Sequence, residues 1–231
     1  EIIPVDSNMS YAVWWEPEGF DVSTDTVVVS LGGHGGWAVK DFEVWYPQLI
    51  ERKVAYLGLQ WWFGRSLENE GYYEPDRIYA LIAEQLESKG VTPGNVIFEG
   101  FSMGGARSYG VSLYDKLCGE NYFGVNIANS GPWEDSYPLY ADILTESYGD
   151  TPFEGTHWIL FCGGKDENEN SQYGTTHVCT GMENTQTTLT KLGATVDLLL
   201  KDPKGDHGSF MINSDNVNQA MYEAEAILED N

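Results

Sequence analysis

The sequence is poor in basic residues. Its 231 residues include 12 Lys and Arg against 36 Asp and Glu, which gives a formal net charge of −24 at pH 7. A field of that sign repels nucleic-acid phosphates and anionic lipid head groups, so we expect no nucleic-acid partner and no membrane-surface partner. The sequence also lacks an apolar run of the ~18–20 residues that cross a bilayer, so we expect no membrane span.

Cysteine is scarce as well. Three cysteines are too few for a disulfide scaffold, and no pair has the spacing of a zinc site. Cys162 and Cys179 would form one bridge if the protein is extracellular. The sequence starts at Glu1 and has no signal-peptide pattern. We therefore expect a processed or trimmed chain that is secreted or extracellular, with a cytoplasmic location left open.

Short apolar runs alternate with helical patterns along the chain. Six runs bounded by Gly, Pro or polar residues predict buried parallel strands, and residues 10–17 predict an antiparallel edge strand. The six runs are 26–31, 54–62, 95–100, 122–130, 157–164 and 195–200. Amphipathic spacing predicts helices over 74–90, 103–117, 182–193 and 216–230.

This alternation predicts an α/β fold with a mostly parallel sheet covered by helices on both faces. No linker or repeat divides the chain, so we expect one domain over residues 1–231. The longest irregular stretch, about 131–156, leaves room for a small insertion or flap and not for a large cap.

One serine lies in a G-x-S-x-G motif within "FEGFSMGGARSYG", residues 98–110. A random sequence of this composition would contain roughly 0.2 such motifs, so the neighbouring residues must decide whether this one is functional. Here the motif follows a predicted strand and opens a predicted helix, as a nucleophile elbow requires. Gly100 and Gly104 remove the side chains that would clash in its tight turn. We predict that Ser102 is a nucleophile.

A serine hydroxyl needs a base, and the base needs an acid that orients it. Of the four histidines, His207 follows the last predicted strand, at the end of the sheet where α/β folds place their sites. Asp166 follows the fifth predicted strand at the same end. We predict His207 as the base and Asp166 as its partner, with Glu167 and Asp206 as the weaker rivals.

The reaction also needs N–H donors for a developing oxyanion. One should be the backbone of Met103, directly after the nucleophile. The other should come from the loop "LGGHGGW", residues 31–37, where we favour Gly35 or Gly36. In the same loop, His34 is expected to be structural.

The order Ser102, Asp166, His207, preceded by an H-G-G loop, resembles the α/β-hydrolase superfamily over nearly the whole chain. Within it, the chain is similar to compact esterases related to feruloyl esterases and polyester depolymerases. The resemblance implies an eight-stranded sheet in which only the second strand is antiparallel. It also implies catalysis without a cofactor. The loop "GGHGGW" departs from the H-G-G-G of many lipases and esterases.

A calcium loop is the alternative use of Asp166. "DENENSQYG", residues 166–174, has the right spacing of Asp and Asn but lacks Gly at the sixth position and Glu at the twelfth. We therefore expect no metal.

These observations predict a serine hydrolase that cleaves carboxylic esters through an acyl-enzyme. The substrate would be a small-molecule or polysaccharide-linked ester, of acyl or feruloyl type, in an open site. Trp37, Trp62 and Trp133 lie in loops that should surround this site and are candidate substrate contacts. A peptidase, thioesterase or acyltransferase would use the same triad. A binding protein that has lost catalysis is the alternative outside enzymes.

Overall fold

An eight-stranded sheet forms the centre of the computed structural model. The structure describes residues 1–6, 10–64, 66, 69–167 and 177–230. The strands are β1 (Ile2–Pro4), β2 (Tyr11–Trp15), β3 (Val27–Leu31), β4 (Ala55–Leu59), β5 (Val96–Phe101), β6 (Phe123–Asn129), β7 (His157–Gly163) and β8 (Thr195–Asp202). Their spatial order is β1-β2-β4-β3-β5-β6-β7-β8. β2 is antiparallel to both neighbours, and all other pairings are parallel. The predicted mostly parallel sheet is confirmed.

Seven helices among the described residues cover the two faces of the sheet. They are α1 (Ala38–Leu49), α2 (Pro75–Lys89), α3 (Met103–Cys118), α4 (Pro138–Leu144), α5 (Val178–Lys191), α6 (Ser209–Ile212) and α7 (Ser214–Asp230). Apolar side chains of α1, α6 and α7 pack on one face, and those of α2, α3, α4 and α5 pack on the other. Because both faces are covered, a strand such as β3 is buried at every position.

The ends of α2 follow from local chemistry. Pro75 stands at the first helical position, where a missing N–H costs no hydrogen bond. Gly90 ends the helix with φ 78°, a left-handed conformation that glycine adopts without strain. The helix predicted over 74–90 is thus confirmed, and it ends at Gly90 as predicted.

Two features differ from the sequence-based expectations. The strand predicted at 10–17 is antiparallel, but it is not an edge strand, because β1 pairs with its outer side. β1 has only three residues, too few for a periodic pattern.

Helix α1 is not predicted by its sequence, which contains Pro47 and several aromatic and β-branched residues that favour strands. Its burial of Trp45 against the sheet outweighs those preferences.

The parallel strands carry their candidate functional loops at one edge of the sheet. Ser102 follows β5, and Asp166 lies in a 3₁₀ turn directly after β7. His207 lies in the loop between β8 and α6, and the glycine-rich loop 32–37 follows β3. The segment 131–156, which contains α4, follows β6 at the same edge. The carboxyl ends of neighbouring strands therefore bring distant parts of the sequence together.

Candidate active site

Ser102 has a backbone conformation that few residues with side chains adopt. Its φ is 54° and its ψ is −116°, between the end of β5 and the first residue of α3. Its N–H donates a 2.7 Å hydrogen bond to the carbonyl oxygen of Asn129, at the end of β6. A strained residue held in place by its surroundings is typical of a functional site.

The glycines on either side of Ser102 are required by close backbone packing. A Cβ on Gly100 would lie 2.5 Å from the carbonyl oxygen of Gly104. A Cβ on Gly104 would overlap the carbonyl oxygen of Leu31, so α3 could not pack as closely against β3. The geometry of a nucleophile elbow predicted from the motif is thus present.

Ser102, His207 and Asp166 form one hydrogen-bonded chain. The Ser102 Oγ atom lies 2.7 Å from His207 Nε2, and His207 Nδ1 lies 2.5 Å from Asp166 Oδ2. Asp166 is fully buried and His207 is 6% exposed, so the bond between them lies in a region of low dielectric constant, whereas the bond to Ser102 is partly buried and borders the cleft. The structure brings together the three residues that the sequence predicts for the triad.

The two rival carboxylates, Asp206 and Glu167, accept hydrogen bonds from groups other than the His207 imidazole. Asp206 accepts a 2.9 Å hydrogen bond from the backbone N–H of His207 through its Oδ1 atom. Glu167 accepts hydrogen bonds from the backbone and the hydroxyl of Thr180 in α5. Asp166 is therefore the carboxylate that faces the imidazole.

The other histidines have different surroundings. His157 begins β7, at the opposite edge of the sheet, and its Nδ1 atom lies 3.1 Å from Asp197. His177 is exposed directly before α5. His34 is exposed at the mouth of the cleft, where its ring lies 6.0 Å from that of Tyr72.

The predicted oxyanion loop requires a correction. The N–H of Gly36 donates a 2.9 Å hydrogen bond to the carbonyl oxygen of Gly33, which closes a tight turn. The N–H of Gly35 donates a 2.9 Å hydrogen bond to the hydroxyl of Tyr72. Both favoured amides therefore already donate to acceptors within the protein.

An open cleft of about 540 Å³ borders Ser102 and His207. Its walls come from the start of α3, from residues of the segment 130–138, and from His34 and Val178. The start of the predicted insertion at about 131–156 therefore forms one side of the cleft.

None of the three tryptophans predicted to contact substrate is among the described residues that line this cleft. Trp133 packs into the core, with its ring 4.4 Å from that of Tyr140. Trp37 is 43% exposed and packs edge-on against Trp62 at 5.1 Å, outside the cleft. None of the three indole rings therefore supports the predicted substrate contact.

Arg107 lines the cleft and was not predicted. It lies on α3, and its guanidinium group stands 3.8 Å from the ring centre of Tyr137. Its Nη1 atom lies 3.5 Å from the Glu134 carboxylate, which is half exposed. The sequence gives no signal for it, because helical neighbours lie three or four residues apart and Arg107 lies five residues after Ser102.

A disulfide joins Cys162 in β7 to Cys179 in α5, with a Cα–Cα distance of 5.2 Å. The whole of residues 166–174, the calcium-loop alternative that the sequence analysis set aside, lies between these two cysteines in sequence. That loop, residues 166–174, falls largely outside the described residues. Within the described residues no group of three or more His, Cys, Asp or Glu side chains could hold a metal ion.

Among the described residues, no helix combines the length and the apolar composition of a membrane span.

Comparisons with known proteins give matches in structure only. No family model matches the chain, and no curated protein matches its sequence. A solved structure from a study of two fungal esterases from Rhizomucor miehei has a TM-score of 0.71 at 14% identity, over 100% of this chain and 83% of that chain. A Bacillus cereus carboxylesterase has a TM-score of 0.64 at 14% identity, over 94% of this chain and 96% of that one.

A third structure, a phospholipase/carboxylesterase from Dyadobacter fermentans, is 19% identical with a TM-score of 0.58, over 94% of this chain and 95% of that one. The chain has the α/β-hydrolase fold. At these identities the likeness concerns the fold. The narrower resemblance of this α/β-hydrolase-fold chain to feruloyl esterases and polyester depolymerases stays a prediction.

Proposed function

We propose that this protein is a serine hydrolase of carboxylic esters. The observation that carries the proposal is the hydrogen-bonded chain from Ser102 through His207 to the buried Asp166. These residues come from three loops at one edge of the sheet, and Ser102 and His207 line an open cleft. The esterases with the same fold support ester cleavage as the reaction.

The geometry fits two half-reactions. In the first, the Ser102 Oγ atom attacks the ester carbonyl carbon while His207 Nε2 takes the hydroxyl proton. The Asp166 carboxylate accepts a hydrogen bond from the Nδ1–H group of His207 and stabilises the imidazolium. His207 then gives its proton to the departing alkoxide, which leaves an acyl group on Ser102. In the second, a water molecule attacks the acyl carbon while His207 takes its proton, and the bond from that carbon to the Ser102 Oγ atom then breaks as His207 returns the proton to the serine and the carboxylic acid is released.

The tetrahedral intermediates carry an oxyanion next to the start of α3. The N–H of Met103 begins this helix, where amide hydrogens point outward with a partial positive charge. From the glycine-rich loop, we assign the second donor to the backbone of Gly33–His34. A Cβ on Gly33 would lie 3.2 Å from the Ser102 Cβ atom, and His34 borders the cleft.

The open cleft favours an ester with a bulky alcohol or carrier, including a polysaccharide-linked one. A feruloyl group stays within the proposal as one acyl candidate, without support from the tryptophans. The disulfide supports an extracellular location, because such bonds persist in oxidising compartments.

Hydrolysis of p-nitrophenyl acetate and butyrate, of feruloyl esters and of peptide substrates tests the proposal, with Ser102→Ala as the comparison. We expect ester turnover that Ser102→Ala abolishes, and slower or no peptide cleavage. Ser112, a buried serine further along α3, gives the matched control, because Ser112→Ala should keep full turnover. Equal activity of wild type and Ser102→Ala would contradict the proposal, and preferential peptide cleavage would assign the triad to a peptidase.

A further inference from the structure

A buried acid lies directly behind the nucleophile elbow. Glu99 precedes Gly100 on β5, and its side chain is 1% exposed. Two side chains donate hydrogen bonds to its carboxylate. The Ser30 hydroxyl lies 3.0 Å from Oε2, and the Asn129 amide nitrogen lies 3.1 Å from Oε1. Glu99 therefore ties β3 and β6 to the strand that carries Ser102.

Asn129 connects this acid to both reacting side chains. Its backbone carbonyl accepts the hydrogen bond from the Ser102 N–H, at 2.7 Å. Its side-chain oxygen lies 3.2 Å from the hydroxyl of Ser130. That hydroxyl is also 3.2 Å from the backbone carbonyl oxygen of His207, and its single proton is shared between these two acceptor oxygens. One connected polar network thus reaches the backbone of Ser102 and of His207.

We propose that Glu99 is a positioning residue, which through Asn129 and Ser130 holds the backbones of Ser102 and His207 at reactive distance. The inference rests on the proposed function of Ser102. It adds a role for three residues that do not contact the reacting atoms.

The cost of burying this acid argues against a role in packing alone. A buried carboxyl destabilises its ionised form, and an apolar residue of similar size would avoid that cost. Burial, with a smaller contribution from the nearby Asp41 carboxyl on α1, raises the pKa of Glu99 to about 7. Tyr56 on β4 also faces the carboxyl. Hydrogen bonds from Asn129, Ser30 and Trp45 favour the ionised form and partly offset this rise in pKa.

Two substitutions at Glu99 separate positioning from packing. In Glu99→Gln, the amide oxygen can accept from Asn129 while the amide nitrogen donates to the Ser30 oxygen, so the network survives. In Glu99→Leu both partners lose their acceptor. We expect kcat within threefold of wild type for Glu99→Gln. For Glu99→Leu we expect kcat to fall by about 10- to 100-fold with KM within threefold, because small displacements of reacting groups slow chemistry more than binding.

Ser130→Ala tests the other end of the network, and it keeps the inference testable if Glu99→Leu fails to fold. It should also lower kcat, and the double variant should lose less than the product of the two single losses, because the residues act as one unit. The matched control is Asn126→Leu, which removes another buried amide of β6 whose partner is the His157 carbonyl, away from the cleft. This control should keep wild-type kcat.

Full kcat in Ser130→Ala, or equal losses in Glu99→Gln and Glu99→Leu, would overturn the inference. Ser102→Ala is measured alongside on the same p-nitrophenyl ester. If Ser102→Ala retains activity, the proposed function fails. If Ser102→Ala is inactive while Ser130→Ala and Glu99→Leu are fully active, only the positioning role fails.

Discussion

Replacing Glu99 by Gln should make the stability of the protein less sensitive to pH. The pKa of Glu99 is raised by burial from 4.5 to about 7 in the folded protein. Between these values the folded state binds more protons at this site than the unfolded state does. The free energy of unfolding therefore falls as pH rises through this window.

The size of the effect follows from the two pKa values. A rise from 4.5 to about 7 corresponds to about 3 kcal/mol of stability, present below the unfolded pKa and lost by the time pH passes the folded one. Gln cannot ionise, so Glu99→Gln lacks this loss. Relative to wild type, the variant should gain about 3 kcal/mol between pH 4.5 and pH 8. For a domain of this length the gain corresponds to roughly 6–12 °C in Tm.

Urea unfolding at several pH values from 4.5 to 8.5 measures the difference between the two proteins. Only the change of that difference with pH is interpreted, so any constant effect of the new amide cancels. Glu84→Gln on the exposed face of α2 is the matched control and should change by less than about 0.5 kcal/mol over the range. A difference between wild type and Glu99→Gln that stays constant with pH would refute the reasoning.

Three other predictions address the triad, the elbow and the disulfide. Asp166→Asn should lower kcat by roughly 10³- to 10⁴-fold in ester hydrolysis assays, because the imidazole loses its orienting acceptor, and an unchanged kcat would assign the orienting role elsewhere. Gly104→Ala should lower the free energy of unfolding by about 1–3 kcal/mol, because its Cβ would overlap the Leu31 carbonyl, and this loss should appear as a lower Tm in thermal unfolding. Wild-type Tm in that variant would contradict the close packing. Reduction of the Cys162–Cys179 bond should cost about 3 kcal/mol for a loop closed over a separation of 17 residues. A reductant that leaves the Tm unchanged would argue against the bond.

The meeting of Ser102, Asp166 and His207 was predictable because each lies in a strongly patterned context. Ser102 lies between an apolar strand and an amphipathic helix, and Asp166 and His207 each lie in the segment that follows an apolar strand. Parallel strands place their carboxyl ends at one edge of the sheet, so sequence position alone locates these residues in space.

Side-chain direction within loops was not predictable in the same way. Trp133 follows a site-bearing strand, yet its indole packs on Tyr140 in the core. Whether a loop aromatic turns inward or toward the cleft depends on contacts with elements distant in sequence. The same holds for Gly35 and Gly36, whose amide partners are set by the turn geometry and by Tyr72.

Glu99 escaped prediction for a related reason. An acid inside an apolar run is a visible anomaly, but its partners Ser30 and Asn129 lie on two other strands. Only the pairing order of the sheet brings the three side chains together.

Covalent labelling of Ser102 tests the central claim most directly. The wild-type protein is treated with a fluorophosphonate, and the modified residue is identified by peptide mapping with mass spectrometry. The account predicts a single adduct on Ser102, loss of ester hydrolysis in proportion to labelling, and much slower labelling in His207→Ala. An adduct on another residue, or full hydrolysis by protein whose Ser102 is completely modified, would contradict it.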